Sequence, residues 1–353
     1  MNAAENINLD NSEPIPLICV YSTNPSGWQW FAADTIGKAR WQFHTEEPRS
    51  FLERLIQRPK LSRIMGAVRC VRSARRERAV AIAAHSSIST FWISIAMRLF
   101  GQSAPLLSFS FHFPELPAGP RRWIMTQAFS QVRRFTVHSE PERARYANHF
   151  GIPLERFDLV RWGVAPPEPA DPNEAPIVSG SYICALGKDG RDYPPLIRAM
   201  ESLPELTLVV VAQPDNLAGV VPPKNVKLFC DIPWNQAMNI LRHSQFMALP
   251  LETDETSCGH ITLVLAMFCR KAIVATASSG IADYFPANYD SPKVQAKDIA
   301  GWAESLRAMA SDPARRERCV ALAEPFAHAC CSHDSVLAST LEVFRKAGIE
   351  IPA

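Results

Sequence analysis

From residue 15 onward, short apolar blocks alternate with stretches of helical period. Ile15 to Tyr21, Ala79 to Ala84, Pro105 to Phe113 and Phe135 to His138 are too short for helices, and the first two are unbroken apolar runs. Such blocks predict strands buried on both faces, as in a parallel sheet. Between them, residues 50–78, Ile88 to Phe100 and Glu140 to Phe150 space their apolar positions as helices do. Gly101 supplies a stop for the second of these and Ser139 an N-cap for the third. Each strand ends in polar residues that precede a helix, which is the pattern of a doubly wound α/β domain.

The pattern breaks at residues 166–181, where Pro166, Pro167, Pro169 and Pro172 crowd a polar stretch that predicts an interdomain linker. A second series then begins: strand Tyr182 to Leu186, helix Tyr193 to Ser202, strands Leu206 to Ala212 and Val226 to Phe229, and helix Asn235 to Ser244. Strand Phe246 to Leu249 follows, then an acidic turn, then Ser257-Cys258-Gly259 opening a helix that runs through Met267, then strand Lys271 to Thr276. Helices are expected over Lys297 to Ala310, Pro313 to Ala329 and His333 to Lys346. The domain boundaries that follow are 1–165 with a returning segment 333–353, the linker 166–181, and 182–332.

Length and composition agree with this division. The 353 residues suffice for two domains, and 47% apolar with 20% charged residues is the make-up of a globular chain. No apolar run approaches the ~20 residues of a membrane-spanning helix, and residues 1–14 lack a cationic segment followed by an apolar one. Nine cysteines, mostly inside apolar elements, fit a reducing cytoplasm better than a disulfide framework. The net charge of +2 hides an asymmetry, because residues through 165 carry 21 Lys and Arg against 13 Asp and Glu. Two tracts, Arg54 to Arg78 and Arg121 to Arg134, mix arginine with large apolar groups. That mixture suits an anionic membrane surface or a phosphate-bearing acceptor, while a solvated helix face is the plainer explanation. No nucleic-acid-binding motif accompanies the basic residues, so nucleic acid is not an expected partner.

The candidate chemistry lies in the second series. A helix start offers unpaired N–H groups, and Gly259 would let a phosphate approach that backbone without a Cβ in the way. Strand Tyr182 to Leu186 runs into Gly-Lys-Asp-Gly-Arg, which puts Lys188 and Arg191 on a loop that would face Gly259 if the two strands are neighbours. Two cations and a row of amides together suit a diphosphate. Glu255 stands where a carboxylate could accept from sugar hydroxyls.

These residues, in this order, resemble a retaining glycosyltransferase of the large family 4, and the resemblance covers about residues 79–345. It rests on Gly187-Lys188 with Arg191; on N-V-K-L-F before the base-binding loop; on A-L-P-L followed by Glu255 and Gly259; and on R-K-A-I-V-A-T with S-S-G-I-A-D after it. In the first half it rests on His112, V-H-S-E-P-E-R and G-I-P-L-E-R-F-D-L-V-R-W-G-V. The resemblance implies the GT-B fold, two Rossmann-like α/β domains facing a cleft, with the C-terminal helix crossing back to the first domain. It also implies a metal-independent, same-face transfer of a hexose from a nucleotide-sugar donor, with no cofactor, to a glycan or lipid-linked acceptor, at the inner membrane face.

The same resemblance assigns roles. Gly259, His260, Ile261 and Thr262 would meet the diphosphate; Lys188 and Arg191 would neutralise it as it leaves; Glu255 would bind the sugar; His112 would lie beside the anomeric carbon. Three departures stand out. The Gly-Arg and Lys of the family are exchanged as Gly187-Lys188 and Arg191, the first loop S-T-N-P-S-G lacks the usual Gly-Gly pair, and the second acid of the family's pair is Leu265. Since that acid usually holds the ribose, two other readings stay open: a non-catalytic GT-B protein that binds sugar nucleotides, and a sugar-nucleotide epimerase.

Overall fold

The computed structural model describes residues 15–23, 39–58, 60–169, 171, 174–255 and 258–352. Most of the S-T-N-P-S-G loop and Ser257 lie outside the described residues. Contacts divide the chain into two compact units, Met1–Phe135 with Leu341–Ala353, and Thr136–Thr340.

The first six-stranded sheet has the order β2-β1-β3-β4-β5-β6. Its strands are β1 (Leu17–Ser22), β2 (Arg40–Thr45), β3 (Ala81–His85), β4 (Leu106–Phe109), β5 (Val132–Val137) and β6 (Phe157–Leu159). Pairings β1–β2, β1–β3, β3–β4 and β4–β5 are parallel, with Ile18 opposite Ala81 and Ala83 opposite Leu107. β1 is buried along its whole length, as its unbroken apolar run requires.

Several elements differ from the sequence reading, among them β6 and a short last strand, Lys293–Val294, which were not expected. β2 carries Arg40, Gln42 and His44 among its six residues and pairs, among the described residues, on one side only, and its polar sequence gave no strand signal. The single helix expected over 50–78 is two, α1 (Phe51–Leu55) and α2 (Leu61–Arg76), because Ile56 turns extended ahead of a short antiparallel bridge between Gln57 and Lys60. The strand expected to Phe113 stops at Phe109, where Ser110 takes a left-handed backbone. Part of the second basic tract is helix α4 (Gly119–Phe129), the helix face that was the plainer explanation, entered through Pro120 at its first turn. Helix α3 (Ser87–Phe100) is capped by Ser86, whose hydroxyl accepts from the Ser89 amide, and ends on left-handed Gly101. Helix α5 (Glu140–Phe150) is capped by Ser139, which accepts from the Glu142 amide, while the Glu142 carboxylate accepts from the His138 amide in return.

The second sheet has the order β12-β11-β10-β7-β8-β9, and all five of its pairings are parallel. Its strands are β7 (Ile183–Leu186), β8 (Leu208–Ala212), β9 (Val226–Cys230), β10 (Phe246–Leu249), β11 (Ala272–Thr276) and β12 (Lys293–Val294). Written from β9 inwards this is the 3-2-1-4-5-6 order of a Rossmann sheet, and the direction of winding reverses between β7 and β10. The two-residue period of the strands sorts their side chains. Cys184, Leu186, Val209, Met247, Leu249 and Ile273 join one core with helices α7 (Trp234–His243), α8 (His260–Phe268) and α10 (Pro313–Cys331). Ile183, Ala185, Val210, Phe246, Ala248 and Val274 join the other with α6 (Tyr193–Ala199) and α9 (Ile299–Ser311).

The proline-rich segment before β7 is pinned where it is described. Arg242 on α7 makes a two-pronged ion pair with Glu174, and the Asn239 side chain bonds both the Ile177 amide and the Ala175 carbonyl. At the other end of the chain, α11 (His333–Lys346) carries Phe344 into the first unit's core, against Trp41 and Phe109.

Candidate functional site

The carboxyl end of β7 lies beside the carboxyl end of β10, and the loops leaving them are tied together. Asp192 N–H donates to Pro250 O, Glu252 N–H donates to Gly190 O, and Arg191 and Leu251 form an isolated antiparallel bridge. The loop after β7 is thereby held against the approach to α8.

Two glycines make this corner. Gly259, the N-cap of α8, has φ +90°, and a Cβ there would stand 3.2 Å from Leu251 Cδ2 and 3.5 Å from Arg191 Nη1. Gly187 has φ +120°, and a Cβ there would stand 2.5 Å from Arg191 Nη2. A guanidinium therefore lies flat on the Gly187 backbone, a position no other residue permits.

Arg191 is only 5% exposed and its donors are committed. Nε donates to Leu186 O at 3.2 Å, Nη1 to Asp189 O at 2.8 Å and to Cys258 Sγ at 3.7 Å, and Nη2 to Thr262 Oγ1 at 3.0 Å. One side chain thus braces the end of β7, its loop and the first turn of α8. Lys188, by contrast, is exposed; its carbonyl accepts from Asn216 Nδ2 at 2.8 Å, which fixes the backbone and leaves the ammonium arm in solvent. Tyr193 OH steadies the same loop by donating to Gly187 O at 2.6 Å.

Leu263 is the first residue of α8 whose amide closes a helical bond, to Gly259 O at 3.0 Å. The amides of His260, Ile261 and Thr262 therefore stand outside the helical ladder, at the positive end of the helix dipole. The His260 ring points away from solvent: it is 4% exposed, stacks obliquely on Tyr284 at 4.3 Å, and its Nε2–H donates to Gly280 O at 2.8 Å. Burial lowers its pKa to about 4, although the Gly280 bond pulls the other way. It is a neutral packing side chain whose backbone amide faces the site.

A cavity of about 330 Å³ opens at this corner, lined by Trp162, Gly187, Lys188, Asp189, Arg191, Cys258 and Gly259 to Thr262. A second cavity of about 360 Å³ shares Gly187, Lys188 and Thr262 with it and continues along the ends of β8 and β9. Its walls are largely apolar: Leu186, Val211, Ala212, Ile232, Ala237, Met238, Leu241 and Leu265, with Gln213, Asp231 and Trp234 also lining it. The pair makes a charged, amide-rich end and an apolar end joined at Thr262, an arrangement that could hold an anion attached to a flat, largely apolar group.

Of the residues singled out in sequence, Lys188, Arg191, Gly259, His260, Ile261 and Thr262 line one cavity. Glu255 does not line either one; it sits exposed in the acidic turn, beside Asp254, whose carbonyl holds Ser279 through its amide and hydroxyl. His112 belongs to the first unit, half-buried after β4, with its carbonyl accepting from Ser87 Oγ at 2.6 Å. The apolar end takes in the base-binding loop that the resemblance placed after N-V-K-L-F, but Gln213, Asp231 and Trp234 were not singled out individually. The folding of β8 and β9 next to β7 brings them into one wall.

No protein-family model matches the chain, and no curated protein matches its sequence. Solved structures do match it in fold. Anabaena HepE in complex with UDP superposes with a TM-score of 0.69 at 13% identity, covering 94% of this chain and 100% of that one. Sucrose-phosphate synthase from Thermosynechococcus elongatus gives 0.69 at 13% identity, covering 94% and 98%. A UDP-forming α,α-trehalose-phosphate synthase from Burkholderia xenovorans gives 0.67 at 12% identity, covering 96% and 100%. The chain has the GT-B fold that these structures share.

Proposed function

We propose that this chain is a glycosyltransferase that moves a hexose from a nucleoside-diphosphate sugar to a glycan or lipid-linked acceptor with retention at the anomeric carbon. One observation carries the reading: Lys188, braced Arg191 and the three spare amides at the start of α8 converge on one cavity that runs on into an apolar one. A diphosphate suits the first and a nucleoside the second. The matching structures were solved with UDP or UDP-glucose in the case of HepE, which agrees with a nucleotide-sugar donor.

When the glycosidic bond to the diphosphate breaks, negative charge grows on the leaving phosphate. The fixed guanidinium of Arg191, the mobile ammonium of Lys188 and the helix dipole are all set to stabilise it, and fixed charges do so without reorganising. In this reading the leaving phosphate also helps to remove the acceptor's proton from the same face, Glu255 holds sugar hydroxyls and His112 lies beside the reacting carbon. The donor unit is 182–332, and the acceptor belongs to 1–165 with the returning segment 333–353.

The acceptor's setting is part of the proposal: the cytoplasmic face of an anionic membrane. No described helix is long and apolar enough to cross one. Within the first basic tract, Arg63 and Arg69 are paired with Glu46 and Glu53, and Arg76 with Glu77, so most of α2 is not a free cationic face. That tract leaves exposed α1 and the residue after it, where Phe51, Leu52, Leu55 and Ile56 lie beside Arg54 and Arg58, and the second tract adds Trp123 and Ile124, exposed beside Arg121 and Arg122. Binding to liposomes that rises with anionic lipid and falls with salt supports this setting; indifference to both removes it.

The decisive assay is release of nucleoside diphosphate from a panel of nucleotide sugars. Slow release that disappears in Lys188→Ala and in Glu255→Ala supports transfer. Tight binding with no turnover by the intact chain supports instead a sugar-nucleotide-binding protein, a reading favoured by Leu265, an apolar side chain in the wall of the nucleoside cavity. Interconversion of the donor sugar without release of diphosphate would point to an epimerase.

A further inference from the structure

The apolar cavity contains one carboxylate among the described residues that line it, Asp231. It follows β9 with a left-handed backbone, φ +50°, and no hydrogen bond or ion pair within the protein engages its side chain among the described residues. Beside it Trp234, 64% exposed at the start of α7, lines the same cavity. Asp231 is itself exposed, so an entering ligand meets an apolar indole face and an open acceptor on one rim.

The sheet acts as a ruler for what that ligand presents there. Strands β7, β8 and β9 are consecutive neighbours, so the loop after β9 is two strand spacings, ~10 Å, from the phosphate loop after β7. Thr262 and Leu265, one turn apart on α8, line the near side of the cavity, where a ribose attached to the diphosphate would lie. Asp231 is on the far side, at the reach of the outer edge of a base.

A carboxylate is a pure acceptor with two oxygens side by side. Guanine presents two adjacent donors, N1–H and the N2 amino group, which such a fork accepts in two parallel bonds. Uracil presents a single N3–H flanked by two carbonyl oxygens that the carboxylate repels, and adenine presents one donor, the N6 amino group, beside the N1 acceptor that the carboxylate repels. We infer that Asp231 is a base-specificity residue and that the donor of this chain is a guanosine-diphosphate sugar. The inference rests on the donor-site reading above, and it sets the chain apart from HepE, which was crystallised with UDP.

The test is calorimetric titration of the full chain with GDP, UDP, ADP and xanthosine diphosphate. GDP is expected to bind at least about tenfold more tightly than UDP or ADP, the scale of discrimination that a site built for specific donors achieves. Asp231→Asn keeps a residue that tolerates the left-handed backbone, so the loop is preserved. Its amide can donate to the C2 carbonyl of xanthine but meets the N2 amino group of guanine donor to donor. The variant should therefore lose GDP affinity by about tenfold and gain affinity for xanthosine diphosphate. UDP binding as tightly as GDP, or a GDP preference unchanged in Asp231→Asn, overturns the guanine assignment and leaves the donor site standing. Failure of all four nucleotides to bind overturns both.

Discussion

Arg191→Lys is the substitution that most sharply tests how the corner is held. Charge is conserved, but the planar fork is replaced by a point ammonium on a narrower stem. In the intact protein the guanidinium reaches Leu186 O, Asp189 O and Thr262 Oγ1 at 3.2, 2.8 and 3.0 Å, directions that diverge across its plane. An ammonium at one position can keep about one of these. Two hydrogen bonds from a charged, buried donor are lost, each worth about 1.5 kcal/mol or somewhat more, which gives roughly 3 kcal/mol of destabilisation. For a unit of this size, each kcal/mol shifts the melting temperature by about 2–4 °C, so a drop of roughly 6–12 °C is expected. Because the brace also fixes the first turn of α8, nucleotide affinity should fall in parallel although no charge has been removed. Thermal unfolding with and without nucleotide, together with calorimetric titration, reads both effects. A melting temperature within about 1 °C of the parent with unchanged nucleotide affinity would refute the idea that the fork, rather than the charge, organises the site.

Gly187→Ala should be as damaging by a different route, since its Cβ would stand 2.5 Å from Arg191 Nη2 on a backbone at φ +120°. Strain and displacement of a buried cation predict a loss of about 2–4 kcal/mol in denaturant unfolding, whereas Gly219→Ala, left-handed with open space around it, should cost only about 1 kcal/mol. Acid should weaken the second unit through His260, which stays neutral in the fold down to about pH 4. The unfolded chain takes up a proton near pH 6.5 and the folded one does not, so stability contributed by the neutral ring is complete above about pH 6.5 and is lost as pH falls towards 4. The difference amounts to about 3 kcal/mol, and His260→Gln should flatten the stability profile across that window. Equal slopes in parent and variant would show the ring to be free to titrate. Phe344→Ala empties a fully buried site between Trp41 and Phe109 and should cost about 3–5 kcal/mol, with the loss seen in unfolding of the first unit.

The sequence by itself determined the class of fold and much of the phosphate corner. Unbroken apolar runs such as Leu17 to Tyr21 and Phe246 to Leu249 can only be strands covered on both sides, and strands of that kind separated by helices make parallel sheets. Gly259 before an apolar helical stretch marked the helix mouth, since cap chemistry is local and needs no partner from elsewhere in the chain. Residues whose meaning depends on neighbours distant in sequence were decided only by tertiary structure. β2 became a strand because β1 offered it an edge, not because of its own apolar content. Arg191 read as a free cation, yet its surroundings, drawn from residues 186 to 262, make it a buried brace. The resemblance marked a base-binding loop after N-V-K-L-F but not Asp231 or Trp234 within it, because a pocket wall assembled from the ends of three adjacent strands exists only once the sheet order is set. Local backbone preferences and burial patterns are written in short windows of sequence, whereas a binding cavity is a property of packing between windows, and packing is what the fold adds.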